Sequence, residues 1–256
     1  MAKRARGLKH WYLQLLAKRL RNYETSVYDQ FDAILPISDY DKNIMDQYSP
    51  NVPKYVTTAG VNLADFNPDF SQIEFPSVFH LGSLDWMPNL EAVDWFLDDI
   101  WPKVHEQHPS FKFFIAGRNM PDHYQSIEAP NVEIVGEVDD ANAFMNSKAI
   151  MVVPLLSGSG MRLKILEGMA MGKCIVSTAV GAEGIECTDG QDIVIANNGQ
   201  EFVNKIHELV KDQQRCLRIG EQAINLIRYK YTNHQIVKDL LTFYDQLMER
   251  EAPINY

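Results

Sequence analysis

Residues 150–184 read IMVVPLLSGSGMRLKILEGMAMGKCIVSTAVGAEG, and this stretch decides the fold. The apolar run Ala149–Pro154 predicts a strand buried on both faces, and Lys173–Thr178 predicts the next one. Between them, the glycine-serine loop at 157–160 leads into a helix predicted over Met161–Met171, which Gly172 closes at a position where left-handed backbone is needed. A strand, a helix and a second buried strand are typical of a parallel sheet with its flexible loops at the carboxyl ends of the strands.

The rest of the chain extends this alternation. Further strands are predicted at Val78–Leu81, Phe111–Ala116, Val132–Val135 and Asp192–Ala196. Helices are predicted at 88–104, 139–146, 200–211, 213–229 and 233–249. Strands that alternate with helices and end near glycine predict an α/β fold with a Rossmann-like, doubly wound parallel sheet. Such a sheet has a ligand crevice at its carboxyl edge.

The chain before this regular part predicts few elements. They are a helix over Leu8–Asp29, a short strand at Ala33–Pro36, a helix from the N-cap Ser38 to about Tyr48, and a short strand at Lys54–Thr57. This set is too small for an independent core. The residues at 63–76 are rich in Asp, Asn and Pro, which makes them the best candidate for a linker.

Composition narrows the class of protein. The 256 residues carry a net charge of −10, which argues against general nucleic-acid binding. No apolar run is long enough for a membrane span, and three cysteines without metal-ligand spacing favour a reducing, cytoplasmic location. The chain up to Arg21 holds seven Lys and Arg residues and no acid. That basic start is compatible with peripheral contact with a membrane, although a solvated helix face is the simpler interpretation.

Glycine loops mark the expected crevice. The glycines concerned are Gly82, Gly117, Gly136, Gly158, Gly160, Gly181 and Gly184, all placed by the predicted topology on one edge of the sheet. Backbone at such positions can approach a ligand closely and offer N–H groups to phosphate. Neither the P-loop signature nor the dinucleotide pattern GxGxxG is present, so the common nucleotide motifs do not apply.

Arg162 and Lys164 are predicted in the first turn of the central helix, where a cation opposes the helix dipole. A phosphate between them would remove this mismatch, and we favour that interpretation over two solvent-exposed cations. Glu167 lies one turn further on among apolar residues. It either binds ribose hydroxyls from a partly buried position or is an ordinary exposed helix glutamate, and the sequence leaves both open.

Other chemistry is poorly supported. His80 is expected to be a packed residue, while Asp85 and Asn89 could face the crevice. No Ser/His/Asp or Cys/His nucleophile pattern and no histidine pair with metal-ligand spacing appears, so neither a metal ion nor another cofactor is expected.

Four stretches together resemble a known family. They are GSLDWMPNLEAVDWF (82–96), FIAG (114–117), VEIVGEVDD (132–140) and VPLLSGSGMRLKILEGMAMGKCIVSTAVGAEG (153–184). In this order they are similar to the C-terminal half of retaining GT-B glycosyltransferases of family four, the glycosyl transferases group 1, over about Ala33 to Glu249. The resemblance implies two Rossmann-like domains facing a cleft, with a nucleotide-diphosphate sugar held by the C-terminal one without a metal ion.

The resemblance also assigns residues. Glu167 matches the second of two family glutamates and would bind the ribose, while Ser159 stands where the first is expected. The Arg and Lys-Gly usual after the first strand are missing, so Arg162 and Lys164 would hold the diphosphate. The other donor-site residues would be Gly82, Gly136, Gly158, Ser159, Gly160 and Gly181. The partners implied are a nucleotide sugar and an unidentified glycan or lipid-linked acceptor.

The resemblance further implies a domain plan. Residues 1–68 would be the tail of an N-terminal GT-B domain and a linker, 69–230 the nucleotide-sugar-binding domain, and 231–256 a helix packing back on the N-terminal part. The chain would then be the donor-binding half of a transferase, inactive without the other half. Two alternatives stay open: a nicotinamide-dependent oxidoreductase, which lacks its motif here, and a non-catalytic nucleotide-binding or scaffold module with a degenerate site.

Overall fold

The computed structural model describes residues 7–251 except Ser159, and it confirms the α/β fold class. Six parallel strands form one sheet in the order β3-β2-β1-β4-β5-β6. Their bounds are β1 Glu74–Leu81, β2 Phe113–Ala116, β3 Val132–Gly136, β4 Lys148–Val153, β5 Cys174–Ser177 and β6 Val194–Ile195. This is the strand order of a Rossmann-like doubly wound sheet, in which the order of the strands reverses between β1 and β4.

The α-helices are α1 Gly7–Val27, α2 Asp39–Tyr48, α3 Met87–Trp95, α4 Trp101–Gln107, α5 Ala141–Asn146, α6 Leu163–Ala170, α7 Gly199–Leu209, α8 Gln213–Lys230 and α9 Asn233–Glu251. The single helix predicted at 88–104 is wrong, because a π-helical segment, Phe96–Ile100, separates α3 from α4. Pro102 lies at the start of α4 and has no N–H to donate to the preceding turn, so a regular helix cannot continue through it.

Both faces of the sheet are covered by apolar side chains. Val78, Ile150 and Val176 pack on one face with α3, the π-helical segment and α7. Phe79 and Met151 alternate with them on the opposite face and pack with α6 and α8. Burial on both faces explains why the strands read as continuous apolar runs.

The chain divides into two compact units. Met1–Thr58 with Leu240–Tyr256 forms the first, and Ala59–Asp239, which holds the whole sheet, forms the second. The domain boundaries predicted after residues 68 and 230 both fall inside the second unit, and the domain plan stays a prediction.

The first unit contains less strand than predicted. Residues 33–36 and 54–57 make only one parallel bridge, Ile34 to Lys54, instead of two strands. Ser38 caps α2 as expected, since its Oγ accepts the Asp41 N–H at 3.1 Å. The rings of Tyr55 and Phe243 stack with centroids 5.2 Å apart, which joins the C-terminal half of α9 to this unit.

No helix in the described part of the chain has the length and apolar character needed to cross a membrane.

Candidate functional site

The site lies where β1 and β4 end side by side. The chain leaves β1 toward β2 and leaves β4 toward β5, so the connections diverge and open a crevice between the two strand ends. Gly82 follows β1 directly, and the loop after β4 leads to the N-terminus of α6. The charged side chains of α6 are thereby placed against the end of β1.

Arg162 precedes α6 and is not in its first turn, which corrects the prediction. Its backbone is extended (φ −95°, ψ 96°) and serves as the N-cap, and the helix begins at Leu163. The guanidinium donates from Nη1 to the Gly160 carbonyl and lies 5.4 Å from the ring centroid of Trp86. Burial lowers the pKa of Arg162, an effect that Glu183 opposes. This pair of contacts holds a charged, 5% exposed side chain at the rim of the crevice.

Lys164 is the second residue of α6 and points toward β1. Its Nζ donates to Oδ1 of Asn89 at 2.6 Å and lies 3.5 Å from Nε2 of His80. Burial lowers the pKa of Lys164 to about 7, with a further contribution from Arg162, while Glu167 opposes the shift. An anion placed beside Lys164 would favour its charged form and raise its pKa.

Glu167 lies one helical turn beyond Lys164 and is half-buried. Burial raises the pKa of its carboxyl group, and the nearby Lys164 opposes that shift. Among the described residues its carboxylate makes no hydrogen bond or ion pair within 4 Å. The carboxylate oxygens are therefore available to ligand hydroxyl groups, as ribose binding would require.

Two clefts meet at Gly82, Ser83 and Lys164. The first, of about 320 Å³, continues past the ends of β2 and β3 and includes Glu167, Gly117, Arg118, Asn119, Glu137 and Val138. The second, of about 330 Å³, lies over the N-terminus of α6 and includes Trp86, Asn89, Met161, Arg162 and Leu163. Each is large enough for part of a nucleotide, and Lys164 belongs to both.

Two glycines make this junction possible. A Cβ on Gly82 would lie 2.8 Å from Nζ of Lys164, so the amine occupies the space that a side chain would take. Gly117 has a φ of +149°, and a Cβ there would lie 1.8 Å from the Gly82 carbonyl oxygen. The ends of β1 and β2 can therefore approach each other only with glycine at position 117.

The other predicted glycines divide into two groups. Gly160 accepts from Arg162, and a Cβ on Gly158 would lie 2.7 Å from the Arg162 Nη2, so both belong to the Arg162 end of the site. Gly136 ends β3, where its carbonyl accepts the Gly117 N–H at 2.8 Å. Gly181 donates its N–H to Thr178 Oγ1 at 2.9 Å. Neither Gly136 nor Gly181 is among the described residues that line the two clefts, and Ser159 is outside the described residues.

Sequence reasoning missed several residues of the site. Trp86, which covers Arg162 and is 39% exposed, was not singled out. Arg118 and Asn119 follow Gly117 at the end of β2, and Asn119 donates to Asp85 Oδ2 at 3.0 Å. The rule that ligands bind beyond the carboxyl ends of strands could have found both. Asp85 and Asn89 do lie at this edge, as expected, while His80 is packed and also reaches Lys164.

Within the described ranges, no group of three or more His, Cys, Asp or Glu side chains is arranged to hold a metal ion. The cations Arg162 and Lys164, with Arg118 in the first cleft, provide the positive charge of the site.

Comparison with known proteins identifies relatives of this chain. A family model described as glycosyl transferases group 1 matches residues 75–212. An uncharacterized 44.6 kDa protein from the cps region of Klebsiella pneumoniae is 24% identical over 242 residues, covering 90% of this chain and 60% of that protein. An uncharacterized glycosyltransferase of Methanocaldococcus jannaschii is 28% identical over 123 residues, 46% of this chain and 34% of that protein.

Solved structures share the fold. TarM has a TM-score of 0.71 at 15% identity, over 87% of this chain and 45% of TarM. HepE of Anabaena, solved in complex with UDP and glucose, has a TM-score of 0.64 at 14% identity, over 88% of this chain and 66% of HepE. The chain thus spans about 60% or less of the curated relatives it matches and about half to two thirds of these two solved structures.

Proposed function

We propose a function for this chain, starting from the finding that it belongs to the glycosyl transferases group 1 family. On this proposal it is the donor-binding, C-terminal half of a retaining GT-B glycosyltransferase. The intact enzyme would move a sugar from a nucleotide-diphosphate sugar to an acceptor hydroxyl, with retention at the anomeric carbon. The observation that carries the proposal is the meeting of Lys164, Arg162 and Glu167 at the ends of β1 and β4.

The diphosphate is assigned to the junction of the two clefts. There Arg162, Leu163 and Lys164, at the N-terminus of α6, line one cleft, and we assign the amine of Lys164 and the guanidinium of Arg162 to the phosphates. Helix N-termini and charged donors both favour phosphate, and a diphosphate would satisfy the lysine that burial has brought to a pKa of about 7. When the glycosidic bond breaks, the same cations stabilise the charge that develops on the leaving diphosphate. We therefore expect the reaction to need no metal ion.

The nucleoside is assigned to the first cleft. Glu167 faces this cleft with its carboxylate open, so it can accept hydrogen bonds from the ribose hydroxyls. The base would continue toward Glu137 and Val138 beyond β3. HepE, a structural neighbour, binds UDP, which supports a nucleoside diphosphate as the ligand class without specifying the base for this chain.

The sugar and the acceptor are assigned to the second cleft, on the side of Trp86. That cleft lies over α6 and is open to solvent, as an acceptor-facing surface must be. We place the acceptor among glycans or lipid-linked sugars and the reaction in the cytoplasm. We also expect the chain by itself to bind donor without transferring it, because transfer needs an acceptor held beside the donor in a closed cleft.

Thermal-shift measurements with a nucleotide-sugar panel test the proposal. We expect a donor at a concentration of about 100 times its Kd to stabilise the chain by roughly 2.7 kcal/mol, a rise in Tm of several degrees. The double variant Arg162→Ala with Lys164→Ala should lose this rise, while Lys103→Ala, which removes an exposed lysine of α4, should keep it. A panel of uridine, adenosine, guanosine and thymidine diphosphate sugars that gives no rise would contradict the proposal.

A further inference from the structure

The amine of Lys164 is held by two residues that are themselves fixed from behind. Asn89 is 5% exposed, and its Nδ2 donates to the Ser83 carbonyl at 2.8 Å. A carbonyl can only accept, so this contact determines the orientation of the amide. The Oδ1 of Asn89 therefore faces Lys164 and accepts from its Nζ at 2.6 Å.

His80 is fixed in the same way. It is fully buried at the end of β1, and its Nδ1 lies 3.2 Å from the Val152 carbonyl of β4. Because that carbonyl accepts, the ring proton is on Nδ1, and Nε2 presents its lone pair to Lys164 at 3.5 Å. Burial, and then the charge of Lys164, hold the pKa of His80 well below its ordinary value of 6.5. The ring is therefore a neutral acceptor near pH 7.

This geometry has a direct consequence for Lys164. An ammonium group has three N–H donors, and Asn89 and His80 take two of them. The third N–H donor is left for a ligand, because the amine lies against Gly82 at the boundary of both clefts. A ligand that reaches this boundary meets a donor whose direction is already set.

We propose that His80 and Asn89 are positioning residues that aim the Lys164 amine at the donor diphosphate. The inference rests on the proposed function, since it assigns the diphosphate to this junction. It adds two residues and a proton to that site.

The proton follows from electrostatics. The charged groups that face Lys164 are Arg162, the N-cap of α6, and Glu167 on α6, while Arg118 and Glu137 also line the first cleft. With a pKa of about 7, Lys164 is half charged near neutrality in the free protein. A diphosphate beside it favours the charged form and raises the pKa in the complex. Binding is therefore strongest below pH 7 and weakens as the pH rises above 7.

Titration calorimetry with a diphosphate diester tests this coupling. UDP-glucose is the probe, with ADP-glucose and GDP-mannose in parallel, because a nucleotide sugar lacks the terminal phosphate group that titrates near pH 6. At pH 8, in two buffers of different ionisation enthalpy, we expect the wild-type chain to take up close to one proton per bound donor. Between pH 6 and pH 8 the Kd should rise about tenfold. Lys164→Arg should abolish this pH dependence, and Lys103→Ala, which removes an exposed lysine of α4, should keep it.

The positioning residues are tested by a matched pair. His80→Leu removes the acceptor and should weaken donor binding about tenfold, with the midpoint of the pH profile moved to lower pH. His80→Gln can place an amide oxygen where Nε2 lies and should restore both quantities. A purely structural role for His80 would lower Tm without moving the pH midpoint.

The outcomes separate the two proposals. If neither these three probes nor a thymidine diphosphate sugar binds to the wild-type chain, the proposed function and this inference both fail. If a probe binds but no proton is taken up, or if His80→Leu keeps the wild-type affinity and pH midpoint, the inference alone is overturned. The proton measurement uses only the wild-type chain, so it stands even where a variant of the buried His80 fails to fold.

Discussion

Replacing Gly82 with alanine should separate ligand binding from folding. The new Cβ would lie 2.8 Å from Nζ of Lys164, 3.1 Å from Nδ2 of Asn89 and 3.4 Å from Nε2 of His80. The closest atom is the end of a flexible lysine, so the amine can move and the backbone can stay. Gly82→Ala should therefore displace Lys164 from Asn89 without disturbing the sheet.

The size of the effect on binding follows from the hydrogen bond between the Lys164 amine and the diphosphate, which the displaced amine would no longer make. A hydrogen bond to a charged group contributes about 1.5–3 kcal/mol, so donor Kd should rise roughly 10- to 150-fold. Stability should change by no more than about 1 kcal/mol, because alanine also reduces the freedom of the unfolded chain. In a unit of this size that corresponds to a Tm shift of about 2–4 °C at most.

Gly117→Ala is the matched control. Its Cβ would lie 1.8 Å from the Gly82 carbonyl oxygen, at a φ of +149°, so the backbone must move. The decrease in Tm should therefore be much larger than for Gly82→Ala. Calorimetry gives the donor Kd of Gly82→Ala, and thermal unfolding gives both Tm values. A Gly82→Ala variant with wild-type donor affinity would refute the placement of the diphosphate beside Lys164.

Three further predictions concern the same site. Glu167→Gln should weaken nucleotide binding about tenfold in calorimetry with an unchanged Tm, and unchanged affinity would remove Glu167 from the site. The double variant Arg162→Ala with Lys164→Ala should weaken the binding of a nucleoside diphosphate far more than that of the free nucleoside. Equal losses of affinity would mean that both side chains act on folding. A chelator should leave donor binding by the wild-type chain unchanged, and a loss of binding that added Mg²⁺ restores would show that the side-chain cations are not sufficient.

Much of the fold could be predicted because burial on both faces leaves a clear trace in sequence. Continuous apolar strands such as Ala149–Pro154 need helices on both sides, and helices do pack on both faces of the sheet. Gly172 was expected to adopt left-handed backbone after the central helix, and its φ is +64°. The short strands near residues 34 and 54 were overpredicted, because a β-like pattern cannot show whether a partner strand is present.

The site could be predicted only in part. Glycines and charges near strand ends pointed to the carboxyl edge of the sheet, and Gly82, Lys164 and Glu167 do lie together there, since topology alone brings those ends together. Contacts across the sheet left no trace: Lys164 meets Asn89 at a separation of 75 residues and His80 at 84. Trp86 likewise covers Arg162 from a distant loop. Periodicity reports which face a residue is on, and it cannot report which side chain lies opposite.

The most direct test of the account is a crystal structure of the chain with a nucleotide-diphosphate sugar bound. We predict that the ribose hydroxyls contact the Glu167 carboxylate and that the diphosphate lies between Lys164, Arg162 and the N-terminus of α6. A nucleotide sugar bound elsewhere on the sheet edge, with Lys164 still directed only at Asn89 and His80, would contradict it.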